Sequence, residues 1–242
     1  MADPRLIRAV TEALADLGGA ARTLLDVSCK TGDVLKALEP LGFDRRGTNF
    51  VYQGEDIGVP VDLGVDLTKR LPYADGSFDV VTLIEVIEHV ENHRAAIGEL
   101  ARVVKPGGVL LLTTPNIMRL SSRFHFFFSG FHKTKRDFVR FETPLAEAHW
   151  HHVYPIDLPT LWYFAHQNAL ELERAGKIRV KPFNRILLPL VYPILVPYTL
   201  FFFLVREKDE AQKREYRKLA RFLLHPRILL EDNLILRFRK KE

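Results

Sequence analysis

Apolar positions along the chain alternate between short solid runs and longer stretches with helical spacing. The opening MADPRLIRAVTEALADLGG spaces its apolar residues as a helix does, broken by acidic residues. TLLDV (23–27) is a short apolar run ending in Asp, and it passes through SCKTG into the helical pattern DVLKALEPLG: strand, turn, helix. RRGTNF (45–50) reads as a second strand, and VDLGVDL (61–67) leads into a loop carrying LPYADGSFD. DVVTLIE (79–85) and GVLLLTTPN (108–116) are continuous apolar runs, the pattern of strands covered on both faces. Between them HRAAIGELARVV (93–104) has helical spacing and stops at KPGG, a Pro-Gly terminator. This alternation predicts an α/β fold with a doubly wound, mostly parallel sheet. Ligands of such sheets bind at the carboxyl ends of the strands, here residues 26–32, 49, 66, 85–89 and 113–116.

The pattern lapses over 117–148, which reads as a lid or insertion rich in aromatic and basic residues. Its FHFFFSGF (124–131) suits stacking on a ring or a lipid, or a helix that buries Phe side chains on the sheet; Lys133, Lys135 and Arg136 beside it suit an anionic substrate or a solvated face. DLPTLWYFAHQNAL (157–170) predicts a helix capped by Asp157, and LELERAG an outer strand. Residues 186–205 are twenty without a charge between Arg185 and Arg206, long enough to cross a bilayer. Pro189, Pro193 and Pro197 recur every four residues, and each removes a backbone donor. The segment is therefore expected to dip into or lie along one leaflet, with the Lys and Arg of 207–221 on anionic headgroups. The competing reading is a proline-rich loop over the sheet or a dimer interface. LEDNLILRFRKK alternates apolar and polar residues and reads as an edge strand. The chain divides into a ligand-binding domain over 1–182, a membrane-associating insertion over 183–226 and a final strand over 227–242.

A length of 242 residues allows one large α/β domain with an appendage. Hydrophobic residues at 47% and charged residues at 27% exclude wholesale disorder, collagen and a polytopic membrane protein. The single cysteine, Cys29, excludes an intramolecular disulfide framework and fits a reducing compartment. With no secretory signal readable at the start, the expected location is cytoplasmic, peripheral on the inner face of a membrane. The net charge of +5 belongs to the tail: residues 206–242 hold 12 Lys and Arg against 7 Asp and Glu, and the rest is balanced at 23 and 23. Basic residues beside the most apolar segment point to a membrane lipid surface rather than nucleic acid.

Taken in order, DVSCKTG (26–32), Asp66 ahead of LPYADGSFD, EVIEH (85–89) and KPGGVLLLTTPN resemble the class I S-adenosylmethionine-dependent methyltransferases, whose signatures are DVGCGTG, D-x-x-x-LPF-x-D-x-S-FD, EVxEH and R-x-L-K-PGG. The likeness covers roughly residues 20–116. It implies the seven-stranded sheet of that fold and S-adenosyl-L-methionine as cofactor. It implies a structural or methionine-amine role for Asp26, close passage of the methionine portion at Gly32, a hydrogen bond from Asp66 to the adenine amine, Leu67 beside the ring, and Glu85 at the cofactor. Ser28 and Lys30 stand where the family has glycines, and Asn49 where an acidic residue holds the ribose hydroxyls. Asn forfeits the charge-assisted part of that interaction. Lys30 either pairs with the cofactor carboxylate or faces solvent. These three departures raise the alternative of a methyltransferase-like scaffold without catalysis.

Methylation of an oxygen needs alignment and a proton acceptor or a metal. EVIEH places Glu85, Glu88 and His89 at i, i+3 and i+4, on one face of a helical turn; the plainer reading is that the carboxylates organise the loop and His89 packs against the cofactor. In HWHHV, His149, His151 and His152 follow the lid, and HHVYPI resembles an element where small-molecule and glycan methyltransferases hold a histidine over substrate. That register makes His152 a general base or substrate contact, with His89 and Glu88 the other catalytic candidates. Resemblance to metal-assisted quinone O-methyltransferases gives the alternative of a divalent ion on Glu85, Glu88, His89 and His152. The expected reaction is O-methylation of a sugar in a lipid-linked or cell-surface glycan at the membrane; the runner-up acceptor is a prenylated quinone precursor.

Overall fold

The computed structural model describes residues 3–19, 22–50, 57–133, 142, 144, 153–180 and 182–242. Helix α1 (Pro4–Leu14) starts where the Asp3 carboxylate accepts from the Arg5 amide and Pro4 supplies a preset φ; it buries Leu6, Ala9, Val10, Ala13 and Leu14, one stripe at helical spacing. The chain then runs β1 (Thr23–Val27), α2 (Asp33–Ala37), β2 (Asp44–Asn49), β3 (Val61–Leu63), β4 (Phe78–Ile84), α3 (His93–Val103) and β5 (Val104–Pro115). Its second half comprises α4 (Leu120–Ser129), α5 (Leu158–Gln167), β6 (Leu170–Ala175), α6 (Pro182–Leu200), α7 (Glu210–Leu223), α8 (Pro226–Leu230) and β7 (Asn233–Lys240). One seven-stranded sheet results, in the order β3-β2-β1-β4-β5-β7-β6, with only β7 antiparallel to its neighbours.

The apolar runs of β1, β4 and β5 lie at the centre of this sheet and are buried on both faces, as their sequences predict. The strand order reverses between β1 and β4, so the carboxyl ends of these two strands open the crevice where such sheets take ligands. The register sets Asp26 opposite Thr82 and Pro115 opposite Asn233, which decides the side-chain pairs of the site.

Three expectations require correction. The closing strand is internal: β7 lies between β5 and β6, and β6 forms the edge. Its alternation is misleading because the polar positions are covered; Arg237 is 2% exposed and pairs with Asp16 at 2.6 Å and Glu173 at 2.7 Å. The Phe side chains of α4 do not pack on the sheet: Phe124, Phe126, Phe127 and Phe128 are all exposed. Nor do the three prolines break the apolar segment. Helix α6 runs through Pro189, Pro193 and Pro197 and continues as a π turn over Phe201–Val205, 24 residues in all, long and apolar enough to cross a membrane.

Candidate active site

The loop leaving β1 is shaped by backbone conformation. Ser28 (φ 63°), Lys30 (φ 51°) and Gly32 (φ 70°) all adopt the left-handed region, which costs a side-chain-bearing residue roughly 1–2 kcal/mol. Ser28 and Lys30 thus occupy positions that favour glycine, and neighbouring groups hold them there. The Ser28 amide donates to Thr48 Oγ1 at 3.1 Å, and the Lys30 amide to Asn49 Oδ1 at 2.7 Å, while Asn49 Nδ2 returns a bond to the Lys30 carbonyl at 3.1 Å. Asn49 is buried, and both ends of its amide clamp the loop. A Cβ on Gly32 would collide with the Ile57 side chain, and its left-handed φ of 70° itself disfavours one.

Asp26 is 2% exposed, and its Oδ1 accepts from Thr82 Oγ1 at 2.6 Å, tying β1 to β4. Burial pushes its pKa up to about 7, although the Thr82 hydroxyl and the nearby Lys30 ammonium pull the other way. The exposed Lys30 also favours the charged form of Glu88, weakly beside burial. Asp66 comes later than the strand end, because β3 stops at Leu63 and Gly64 intervenes with φ 72°. Its Oδ1 accepts from the Thr68 amide at 2.9 Å and hydroxyl at 2.7 Å. Burial works against its ionisation, but Thr68 and Lys69 win and hold the Asp66 carboxyl below its usual range. Leu67 is buried in the core that fills one face of the sheet.

The EVIEH segment departs from a helical face. Glu85 sits at φ 53°, ahead of a single 3₁₀ turn over Ile87–His89. Glu85 Oε1 accepts from Thr113 Oγ1 at 3.1 Å and Asn233 Nδ2 at 2.7 Å, whereas Glu88 Oε2 accepts from Thr114 Oγ1 at 3.1 Å. Thr113 and Thr114 are consecutive on β5, so each carboxylate is held by its own hydroxyl. Among the described residues no three His, Cys, Asp or Glu side chains form a metal-ligand group. The fourth member of the metal alternative on Glu85, Glu88 and His89, His152, lies outside the described residues. Burial, reinforced by the Glu85 charge, raises the Glu88 carboxyl to about 8. His89 Nε2 lies 4.0 Å from Glu88 Oε1 and is partly accessible. His149, His151 and His152, with Lys135 and Arg136, lie outside the described residues. The chain resumes at Val153, and the Tyr154 amide donates to the Glu88 carbonyl at 3.2 Å, tying the segment after HWHHV to the EVIEH turn.

Sequence reasoning missed the residues that hold this edge together. Thr82, Thr113, Thr114 and Asn233 are the partners of Asp26, Glu85 and Glu88; the strand-end position of 113–116 marked Thr113 and Thr114, whereas nothing marked Thr82 or Asn233. Arg102 did have a signal, the Arg ahead of KPGG. Its guanidinium donates to the Leu71 and Tyr73 carbonyls and to Glu99 and Asp75, fixing the loop that follows Asp66.

Comparison with known proteins bears on the same residues. A family model described as a methyltransferase domain matches residues 2–171. The chain is 36% identical over 110 residues to a ubiquinone biosynthesis O-methyltransferase of Xanthomonas oryzae pv. oryzae, covering 42% of this chain and 45% of that one. It is 36% identical over 148 residues to a protein of the same name from Dechloromonas aromatica, covering 54% and 62%. The chain thus spans about half the length of these relatives. Among solved structures, an S-adenosylmethionine-dependent methyltransferase from Archaeoglobus fulgidus superposes with a TM-score of 0.53 at 16% identity, covering 97% of this chain and 94% of that one.

Proposed function

Since the chain belongs to the class I S-adenosylmethionine-dependent methyltransferases, we propose that it O-methylates a phenolic hydroxyl of a prenylated quinone precursor. The observation that carries this reading is the likeness to curated relatives named for O-methylation in ubiquinone biosynthesis, 36% identical over up to 148 residues. It takes precedence over the glycan acceptor, whose basis, the HWHHV register, falls on residues outside the described ones.

Bound S-adenosylmethionine supplies an electrophilic sulfonium methyl. The residues that would hold it are Lys30 for the carboxylate, Asp66 and Leu67 for the adenine and a left-handed Gly32 where the loop turns into α2, with Asp26, buried against Thr82, in a structural or methionine-amine role. The remaining task is to take the acceptor's proton. Glu88 is nearly encased in protein with His89 beside it, so His89 can receive the proton and Glu88, once ionised, stabilises the imidazolium. His152 is the further candidate for base. A carboxyl raised to about 8 is protonated at neutral pH and becomes an acceptor as pH climbs, so turnover is expected to rise through about pH 8.

Incubation with S-adenosylmethionine and a prenylated catechol, read by mass spectrometry for one added methyl, tests the reading. Glu88→Gln should abolish the rise with pH, and His152→Ala should lower turnover by about 10²–10⁴-fold without altering cofactor affinity. Methylation of a lipid-linked sugar and not of the catechol would replace the substrate reading. Absence of S-adenosylmethionine binding by calorimetry would favour the scaffold.

A further inference from the structure

The helical segment 182–205 has two apolar faces, and the fold covers only one. Leu187 is buried with Leu120, Leu229 and Leu230, and Leu188, Val191 and Leu195 pack against them. The opposite face carries Ile186, Leu190, Ile194, Tyr198 and Phe201, between 58% and 73% exposed. Only 11% of the most apolar window of this segment is buried. An all-round apolar helix left this bare needs a further apolar environment.

A second element extends the bare face. Asn184, fully buried, accepts from the Ser121 amide at 3.0 Å and donates to the Leu230 carbonyl at 2.8 Å, which fastens the start of α4 to the start of α6. Phe124 and Phe128 on α4 thereby share a pocket with Phe183 although some sixty residues separate them in sequence, and Phe127, 80% exposed, lies 5.0 Å from Phe128. Between the two helices Ser121, Phe124, His125, Phe128, Lys133 and Phe183 line an open pocket of about 380 Å³. Exposed cations flank the apolar segment, Arg185 at its start and Arg206 and Lys208 at its end, and Arg214, Arg217 and Arg221 are exposed on α7, where they outnumber the exposed Asp209 and Glu210.

We infer that this face is a monotopic anchor that seats the protein on an anionic lipid bilayer, with the segment 182–205 lying in the plane of the interface rather than crossing. Charge complementarity selects the occupant, because an apolar face with a basic border matches acyl chains beneath anionic headgroups. Two observations select the orientation. First, α7 folds back along the segment, with Tyr192 donating to the Leu224 carbonyl at 3.3 Å and the Phe203 ring tilted against that of Tyr216 with centroids 4.9 Å apart. A crossing would carry the charges of α7 into hydrocarbon, where they are costly. Second, Pro189, Pro193 and Pro197 are exposed and free the carbonyls one turn before them, groups that water and headgroups satisfy at the interface and acyl chains do not. The chain then returns through α8 to β7, within the sheet. The anchor holds whichever acceptor is methylated.

Flotation of the full chain with phosphatidylglycerol-containing vesicles, against phosphatidylcholine alone, tests it. The protein is expected to float with the anionic vesicles, and F127E combined with I194E to lower the bound fraction about tenfold or more, with melting temperature and S-adenosylmethionine affinity unchanged because both side chains are exposed. Full-chain protein that stays unbound, or binding indifferent to these substitutions, would overturn the anchor. So would a dimer seen by sedimentation in lipid-free solution and dissolved by the same pair, since the face would then be an interface between copies. For orientation, R185C and K208C on vesicle-bound protein should both react with an impermeant thiol reagent added outside; reaction at one alone would show a crossing.

Discussion

Asp26 illustrates how much one buried carboxyl contributes to the behaviour of the site. Its folded pKa of about 7 stands above the ordinary 3.8, so the native state keeps a proton that the unfolded chain releases. The stability this group contributes is therefore complete below about pH 4 and is lost as pH rises through about 7. Asp26→Asn keeps the neutral form throughout, and its melting temperature should fall less between pH 4 and 7 than that of the parent; equal slopes in calorimetric melts would show that Asp26 does not titrate there. Ser28 and Lys30 illustrate the opposite case, in which residue identity conceals geometry. Both sit in left-handed conformations that favour glycine, and the clamp from Thr48 and Asn49 offsets that strain. The position of the loop was legible from the strand before it and the helix after it. The clamp was not, because Asn49 is close to Lys30 only through the parallel pairing of β1 with β2.

Among the elements, α4 and α6 depend on each other through one side chain. Asn184→Ala would remove both bonds and leave the Ser121 amide and the Leu230 carbonyl without that partner. Its expected cost is about 2–4 kcal/mol, at roughly 2–4 °C of melting temperature per kcal/mol for a chain of this size. A melting temperature within a degree of the parent would mean that the two helices are held by their apolar contacts alone. Helix α6 also shows the limit of reading prolines as breakers. Proline deletes a donor and strains the preceding turn, but three prolines spaced by four share one side of the helix, and the packed side keeps its ladder. The 3₁₀ turn at Ile87–His89 is the converse case, where i, i+3, i+4 spacing gives no helical face because Glu85 turns the backbone left-handed.

At the scale of the molecule, β7 closes the design. It brings Leu234, Ile235, Leu236 and Phe238 into the core and pairs with both β5 and β6. A chain ending at Asp232 should therefore lose its cooperative thermal transition; cooperative melting of that truncation would show β7 to be dispensable. The sequence by itself determined the alternating architecture, the central strands and the positions along the chain from which the site is drawn. These follow from local periodicity and from the rule that parallel sheets open at their carboxyl edge. Only the tertiary structure decided that β7 is internal, since Arg237 becomes compatible with burial once Asp16 and Glu173, far away in the chain, neutralise it. It alone decided that Glu85 and Glu88 bind Thr113, Thr114 and Asn233, and that Phe124 and Phe128 of α4 share a pocket with Phe183. The physical reason is common to all three: hydrophobic periodicity records which side of an element is buried, whereas polar pairing depends on strand register and on which elements meet, and these are set when the whole sheet assembles.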